Sequence, residues 1–537
     1  MSIQTVLARA VDRRKFLTLS AAGLAYIAAA CSSGPVATAP LTPTTGKSTP
    51  IPLPTRNPAA TTDNWSAFAS SLQGNLIRPG DSHYTTAHQL FSTRFDNILP
   101  AGIASCASPA DVQKSLAFAQ RFNLPVAARS GGHSYAGYST TTGLMLDLSP
   151  MNVVTVNTAN GTVSSGGGAH LIDVYATLAQ FGQVIPAGSC PTVGIAGLTL
   201  GGGVGVLGRK FGLTCDNLLS AQVVLANGEI VTCDQNTHAD LFWALRGGGG
   251  GNFGIVTSFT FQTHAVAELS LFTLNWPWSS AASMVNAWQN WGPQAPDELW
   301  SNCLLLGSAE KSEGPTARVN GVYVGGSAPL NALLQQLISQ VGVAPTSSYV
   351  YTDPLLETMM VEAGCYGESV AACHLPTQNP QGTLTRDTSQ ARSDYFTGTL
   401  PAQAIESLID SINSRQSTAL LNGGGIGIDA YGGAINRVAS TDTAFVHRDA
   451  LFSIQYTASW NAGDSPAIVS ANKSWLSTTW QGMRPYASGE AYQNYIDPDL
   501  GNWQQAYYGA NLPRLQQVKA TYDPGNLFHF AQSIPLG

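Results

Sequence analysis

The sequence predicts an α+β chain of two packed domains: a glycine-rich domain, then one built on an antiparallel sheet backed by helices. Three observations lead there. The length, 537 residues, exceeds what one hydrophobic core usually serves. The texture changes near residue 269, from glycine runs and Asn-Gly turns to long alternating strands separated by helices. Before that point, helices and strands follow one another without the steady alternation of a parallel α/β sheet.

In chain order, residues 1–31 read as an address rather than as fold. Arg13 and Arg14 precede an apolar run, Phe16 to Ala30, that is too short and alanine-rich for a comfortable transmembrane helix. The stretch resembles a twin-arginine export signal. "IAAAC" ahead of "SSG" also resembles a lipobox with Cys31 as the lipidated residue, although Ala28 stands where leucine is usual. Such a route carries chains already folded, often around a prosthetic group. Residues 32–62, rich in Pro, Ser and Thr, bury too little area to offset their ordering entropy and read as a tether. The expected location is the cell envelope or beyond it, with membrane contact only through the signal or a lipid anchor.

The first domain is expected over residues 63–268. "SPADVQKSLAFAQRF" is a helix capped by Ser108, with Pro109 in its first turn and Val112, Leu116 and Ala119 on one face. "LPVAARS" is a short strand that delivers the loop "SGGHSYAGYS". "TGLMLDLSPMNVVTVNTANGTVSSGGGAH" reads as two strands around an Asn-Gly turn, and "HLIDVYATLAQFG" as an amphipathic helix. "SAQVVLANGEIVTC" is a second Asn-Gly hairpin, and "HADLFWALRGGGGGNFGIVTSFTFQTH" a helix, a glycine run and a strand. The second domain, residues 269–485, alternates strands such as "ELSLFTLNW", "ARVNGVYVG" and "ALFSIQYTASW" with helices such as "PLNALLQQLISQVG". Residues 486–537, with a helix around "LPRLQQVKATY", are too short to stand alone and are expected to return to the first domain.

Composition narrows the partner. Only 11% of residues are charged, the formal net charge is −7, and no basic run is interleaved with aromatics. That excludes a phosphate-tracking nucleic-acid surface and leaves a small molecule. The eight cysteines contain no C-x-x-C pair, so nothing supports a zinc ribbon and no metal ligand is assigned. In an exported chain, Cys365 and Cys373, eight apart, are the expected disulfide.

Two glycine runs satisfy G-x-G-x-x-G, Gly203–Gly208 and Gly249–Gly254. A dinucleotide fingerprint must leave a strand and open a helix. The first run leads into "RKFGLTCDN", broken by Gly212, and the second directly into the strand "IVTSFTF". Neither is a Rossmann turn. Bare backbone of this kind lets N–H groups approach an anion closely, which keeps a nucleotide cofactor in view.

Four stretches, "ARSGGHSYAGYS", "GSCPTVGIAGLTLGGGVGVLGRKFGLTCDNL", "LFWALRGGGGGNFGIVT" and the terminal segment from "YQNYIDPDLGNW" onward, together resemble the berberine-bridge-enzyme-like flavin oxidases of the vanillyl-alcohol-oxidase superfamily. The resemblance covers residues 63–537 in order. It implies a PCMH-type FAD-binding domain and FAD bound bicovalently, with His133 at the position bonded to the flavin 8α-methyl carbon and Cys190 at the position bonded to C6. It implies that backbone groups of Arg129, Ser130, Gly131 and Gly132 cradle the pyrophosphate, that Gly194, Gly197, Gly201, Gly202 and Gly205 line the isoalloxazine and ribityl path, and that Ile255 and Val256 meet the adenine side through main-chain bonds. Val193 falls where the family's oxygen gate lies, and a small branched side chain there favours an oxidase making hydrogen peroxide.

The same resemblance supplies the substrate-side residues. "YQNY" offers Tyr492 and Tyr495 flanking Asn494, and a strand would point the two tyrosines to opposite faces. "GIDAYGG" offers Asp429 and Tyr431, two apart and hence on one strand face, with Asp429 resembling the aspartate of the sugar-oxidising members. A phenol of pKa about 10 needs help to act as a base at neutral pH, and Asp429 can polarise it or hold substrate hydroxyls. Tyr492 and Asp429 are placed first, Tyr495 and Tyr431 second. The implied reaction is hydride transfer from a hydroxylated substrate, such as a sugar, oligosaccharide or glycosylated metabolite, to flavin N5, with molecular oxygen as acceptor. An acceptor-reducing dehydrogenase of the same fold and a solute-binding lipoprotein are the competing readings.

Overall fold

The computed structural model describes residues 59–537, so the twin-arginine pair, Cys31 and most of the tether lie outside the described residues. The first described helix, Thr62–Ser71, begins where the tether was expected to end. Thr61 caps it: its side chain accepts the Asn64 N–H while the Asn64 side chain accepts the Thr61 N–H. Trp65 and Phe68 then pack on Phe118, with ring centroids 4.6 and 4.3 Å away, and draw the segment into the fold.

The helix Pro109–Phe122 forms as its sequence dictates, with the Ser108 side chain accepting the Asp111 N–H and Asn123 closing it in the left-handed region. It connects the strands Gly102–Ser105 and Val126–Arg129, both parallel to Leu144–Asp147 between them. One strand–helix–strand crossover is therefore present, where the sequence suggested none. Asn75–Ile77 completes this four-stranded sheet in antiparallel sense.

The stretch 144–166 makes three strands rather than two. Pro150 supplies no donor, and Ser149 turns back on the Asp147 carboxylate through both its N–H and its hydroxyl, so the chain leaves the first sheet. Val154–Asn157 and Thr162–Gly166 pair around Gly161 in a five-stranded antiparallel sheet with Ile255–Gln262, Leu218–Val224 and Ile230–Asp234. The first glycine run follows a helix, Ile195–Leu200, and enters only one turn, Gly208–Phe211. The second enters the strand Ile255–Gln262.

The second domain is a seven-stranded antiparallel sheet in the order Ser347–Asp353, Leu269–Trp276, Thr316–Val324, Leu299–Gly307, Gly424–Ala430, Phe452–Ser459, Ser389–Phe396. Alternation decides what each face meets. Leu299, Cys303, Leu305, Ile426 and Ile428 pack under the helices Ala281–Trp291, Ser327–Val341, Ala402–Ser417 and Pro466–Met483, around a fully buried Trp288. Trp300, Asn302, Leu304, Gly427 and Asp429 face the first domain.

Buried arginines hold the two domains together. Arg209 donates to the carbonyls of Leu299, Pro293, Ala295 and Tyr431, and Arg448 grips both Asp216 oxygens at 2.7 and 2.8 Å. The C-terminal helix Leu512–Tyr522 returns to the first domain, where buried Lys519 donates to the Asn252 carbonyl at 2.8 Å and Asp523 at 2.7 Å. Cys365 and Cys373 are bonded, as expected. Among the described residues no helix is long and apolar enough to cross a membrane.

Candidate active site

A cavity of about 690 Å3 lies between the glycine loops and the open face of the seven-stranded sheet. It is large enough for a cofactor and within the usual range for ligand sites.

Its first wall is made where two loops touch backbone to backbone. A Cβ at Gly131 would lie 2.2 Å from the Gly194 nitrogen, and one at Gly194 would lie 2.0 Å from the Ser130 hydroxyl, so neither position admits a side chain. This contact brings His133 and Cys190 to the same cavity. The backbone N–H groups of Gly131, Gly132, His133, Ser134 and Tyr135, all on its lining, donate to no acceptor among the described residues. Such a row of bare donors suits a phosphate anion. Gly197 lines the wall with open space where a Cβ would stand, leaving room for a flat ring. These features fit the dinucleotide that the sequence implies.

His133 is held edge and face. Its Nε2 lies 2.7 Å from the Thr192 hydroxyl, and its ring stacks on Phe91 at 3.9 Å. Burial, then neighbouring His170, push its pKa down to about 3, so the ring stays neutral. Cys190 is a free cysteine open to the cavity, and burial followed by the Asp387 charge raises its thiol.

The sheet supplies the opposite wall. Asp429 sits opposite Asn302 in register and lines the cavity. Burial pushes its carboxyl up to about 6, against the pull of the Asn302 amide. "YQNY" is not a strand. The Tyr495 N–H donates to the Tyr492 carbonyl at 2.9 Å, and this turn places both tyrosines on the cavity, their rings 4.8 Å apart and near-perpendicular. A strand would have pointed them to opposite faces; the turn brings both to the same cavity. Tyr492 Oη accepts from the N–H groups of Gly203 and Val204 at 3.0 and 3.3 Å and from Asn494 Nδ2 at 2.9 Å. Burial still dominates and holds the Tyr492 phenol at about 12. Tyr495 stacks on Tyr135 at 5.4 Å, and burial raises it well above its ordinary value.

Tyr431 departs from its expected place. It stands just past the strand Gly424–Ala430, 1% exposed and off the cavity lining, with its hydroxyl 3.0 Å from that of Tyr395. Three other positions are also corrected. Arg129 ends its strand off the cavity lining, its side chain paired with Asp147 at 2.8 Å and donating to the Gln89 carbonyl. Gly201 and Gly202 stand behind the wall, where a Cβ would meet Asn494 at 2.0 Å and Phe445 at 2.6 Å. They admit neighbouring chain rather than ligand. Ser130, Gly132, Val193, Gly194, Gly197, Gly205, Ile255, Val256 and Asn494 all line the cavity.

Sequence reasoning missed Arg318, Asn320, Glu362 and Gln455 on the lining. Arg318 and Asn320 left a signal, since their period of two in "ARVNG" marks one face of a strand. Glu362, at the end of the helix Leu355–Glu362, left none, and burial pushes its carboxyl up to about 7.

Two family models match the chain: an FAD binding domain over residues 100–234, and "Berberine and berberine like" over residues 491–535. The uncharacterized FAD-linked oxidoreductase YgaK of Bacillus subtilis is 34% identical over 87% of this chain and 98% of its own. The structure of Physcomitrella patens BBE-like 1 superposes with a TM-score of 0.79 at 32% identity, covering 88% of this chain and 99% of that one. A chitooligosaccharide oxidase superposes with a TM-score of 0.77 at 28% identity, with the same coverage. The two matched segments are the glycine-loop domain and the terminal stretch that carries "YQNY", which are the parts that build the cavity's first wall and its tyrosine turn. The fold is the PCMH-type α+β fold of these flavoproteins, and the chain belongs to the berberine-bridge-enzyme-like family of FAD-linked oxidoreductases.

Proposed function

We propose that this protein holds FAD bicovalently, through His133 and Cys190, and oxidises a hydroxylated small molecule, with oxygen as acceptor. One observation carries the reading: His133 and Cys190 with the row of donors, and Asp429 and Tyr492, all line one cavity. FAD held here would supply the hydride acceptor, with oxygen as the terminal oxidant giving hydrogen peroxide. The chain's own residues do the rest.

His133 is neutral, and with Nε2 engaged by Thr192 its Nδ1 is the nitrogen left to bond a carbon. The bare donors from Gly131 to Tyr135 hold the pyrophosphate. Asp429 takes the proton of the substrate hydroxyl, since a carboxyl of pKa about 6 is ionised at neutral pH while the tyrosines are not. Tyr492, fixed by three N–H donors, orients that hydroxyl. Val193 on the lining is the small branched side chain expected at an oxygen gate, which supports an oxidase over a dehydrogenase. The likeness to a chitooligosaccharide oxidase supports a sugar or glycosylated alcohol as substrate. Export through the twin-arginine signal, with Cys31 as a lipid anchor, belongs to the same reading and is checked by membrane fractionation of a Cys31→Ala variant.

The test is anaerobic mixing of the yellow holoprotein with a panel of sugars and alcohols, followed by admission of oxygen. Bleaching of the flavin band, then rapid recovery with peroxide release, supports the oxidase. Bleaching without recovery identifies a dehydrogenase. A colourless protein, or a flavin that no alcohol bleaches, contradicts the proposal.

A further inference from the structure

We infer that the substrate carries a carboxylate and that Arg318 receives it at a subsite on the open face of the seven-stranded sheet. This rests on the oxidase reading and names its substrate class more narrowly.

Arg318 is 5% exposed and lines the cavity. Its Nε donates to Asn275 Oδ1 at 2.9 Å, across the neighbouring strand. Among the described residues no carboxylate pairs with its guanidinium. Arg392 and Arg448 pair with Asp497 and Asp216, and Arg209 and Arg415, met like Arg318 by neutral oxygens alone, lie off the cavity that Arg318 faces. A cation taken out of water without a partner is costly, so buried charges are ordinarily paired. The planar Nη edge left open by the Asn275 bond is the edge that binds a carboxylate in bidentate fashion.

The same wall has further unmet groups. Trp300 Nε1, Asn302 Oδ1 and Asn320 Oδ1 are buried on it without a hydrogen-bond partner. Buried polar atoms find partners, and here a bound ligand's hydroxyls supply them. The register places these groups in order. Asn302 lies between Asp429 and Asn320, and Arg318 lies opposite Leu304, two residues further along the strand from Asn302. With strands about 4.8 Å apart and residues rising about 3.3 Å each, the Arg318 and Asp429 Cα atoms are about 12 Å apart. A short glycoside fits that span, with its oxidised carbinol at Asp429, its middle hydroxyls on the asparagines, and its carboxylate at Arg318.

The test is thermal unfolding of the holoprotein, at constant ionic strength, with D-glucuronate, cellobiouronate, their methyl esters and D-glucose. At concentrations about tenfold above Kd, at least one of the two acids should raise Tm by about 1–2 °C, and its ester should not. The shift should disappear in both Arg318→Gln and Arg318→Met and persist in part in Arg318→Lys, with flavin content unchanged. If each acid shifts Tm no more than its ester, or if the shift survives in Arg318→Gln, the inference is overturned. Two variants guard against a folding defect in one. The readout needs no turnover: a flavin that no alcohol bleaches refutes the oxidase reading, while an acid-independent shift beside normal bleaching refutes only this one.

Discussion

The hydroxyl oxygen of Tyr492 accepts the backbone N–H of Gly203 at 3.0 Å, joining the C-terminal segment to the glycine run 289 residues earlier. Gly203 has φ of +85°, and a Cβ there would lie 2.2 Å from the Thr214 hydroxyl, so the N–H can be aimed in this direction only by glycine. The candidate tyrosine and the glycine loop are thus one hydrogen-bonded unit.

Tyr492→Phe removes the acceptor that Gly203, Val204 and Asn494 share. The expected cost is about 1–3 kcal/mol of stability, read as a lower Tm, together with a fall in kcat larger than any change in KM. Flavin content should not change.

On the proposed mechanism, Asp429 sets the pH dependence. With its carboxyl at about 6, the base form grows as pH rises, so kcat should climb through pH 6 and level off above it. Its folded pKa lies above the unfolded one, so ionisation opposes folding, and its contribution to stability falls as pH rises through that window. Asp429→Asn should abolish the climb and lower kcat by about 10²–10⁴. The kcat profile from pH 4.5 to 8 checks both.

Lys519 and Asp523 are both fully buried, 2.7 Å apart, and Lys519 also binds the Asn252 carbonyl beside the glycine run. Lys519→Met leaves the Asp523 charge unpaired. A loss of about 3–5 kcal/mol is expected in denaturant unfolding, with impaired flavin incorporation.

The Cys365–Cys373 bond closes a loop that ends at His374, whose Nε2 lies 3.0 Å from Asp173. Burial lowers the His374 pKa, and the Asp173 carboxylate more than offsets this, so the net shift is upward. That stabilisation is present at low pH and is lost as pH rises through the raised folded pKa. Cys373→Ser should cost about 2–3 kcal/mol, and the deficit should be measurable by differential scanning calorimetry.

The parts of this fold that were legible in the sequence are those with local causes. Ser108 and Pro109 mark their helix, and both Asn-Gly turns make hairpins. The misreadings have distant causes. "YQNY" looks like a strand until Tyr492 is seen bonded to Gly203. Glycine runs show that something comes close but not what. At Gly201 and Gly202 it is neighbouring chain, while at Gly197 it is open cavity. The alternation of Arg318 and Asn320 was visible, but only the neighbouring strands show that their face meets the cavity rather than the helices.

The bicovalent attachment is the central claim, and mass spectrometry of the acid-denatured chain tests it most directly. The wild type and the single variants His133→Ala and Cys190→Ala should each retain the mass of one FAD, and the double variant should lose it. Loss of flavin from the denatured wild type, or its retention in the double variant, would contradict the account.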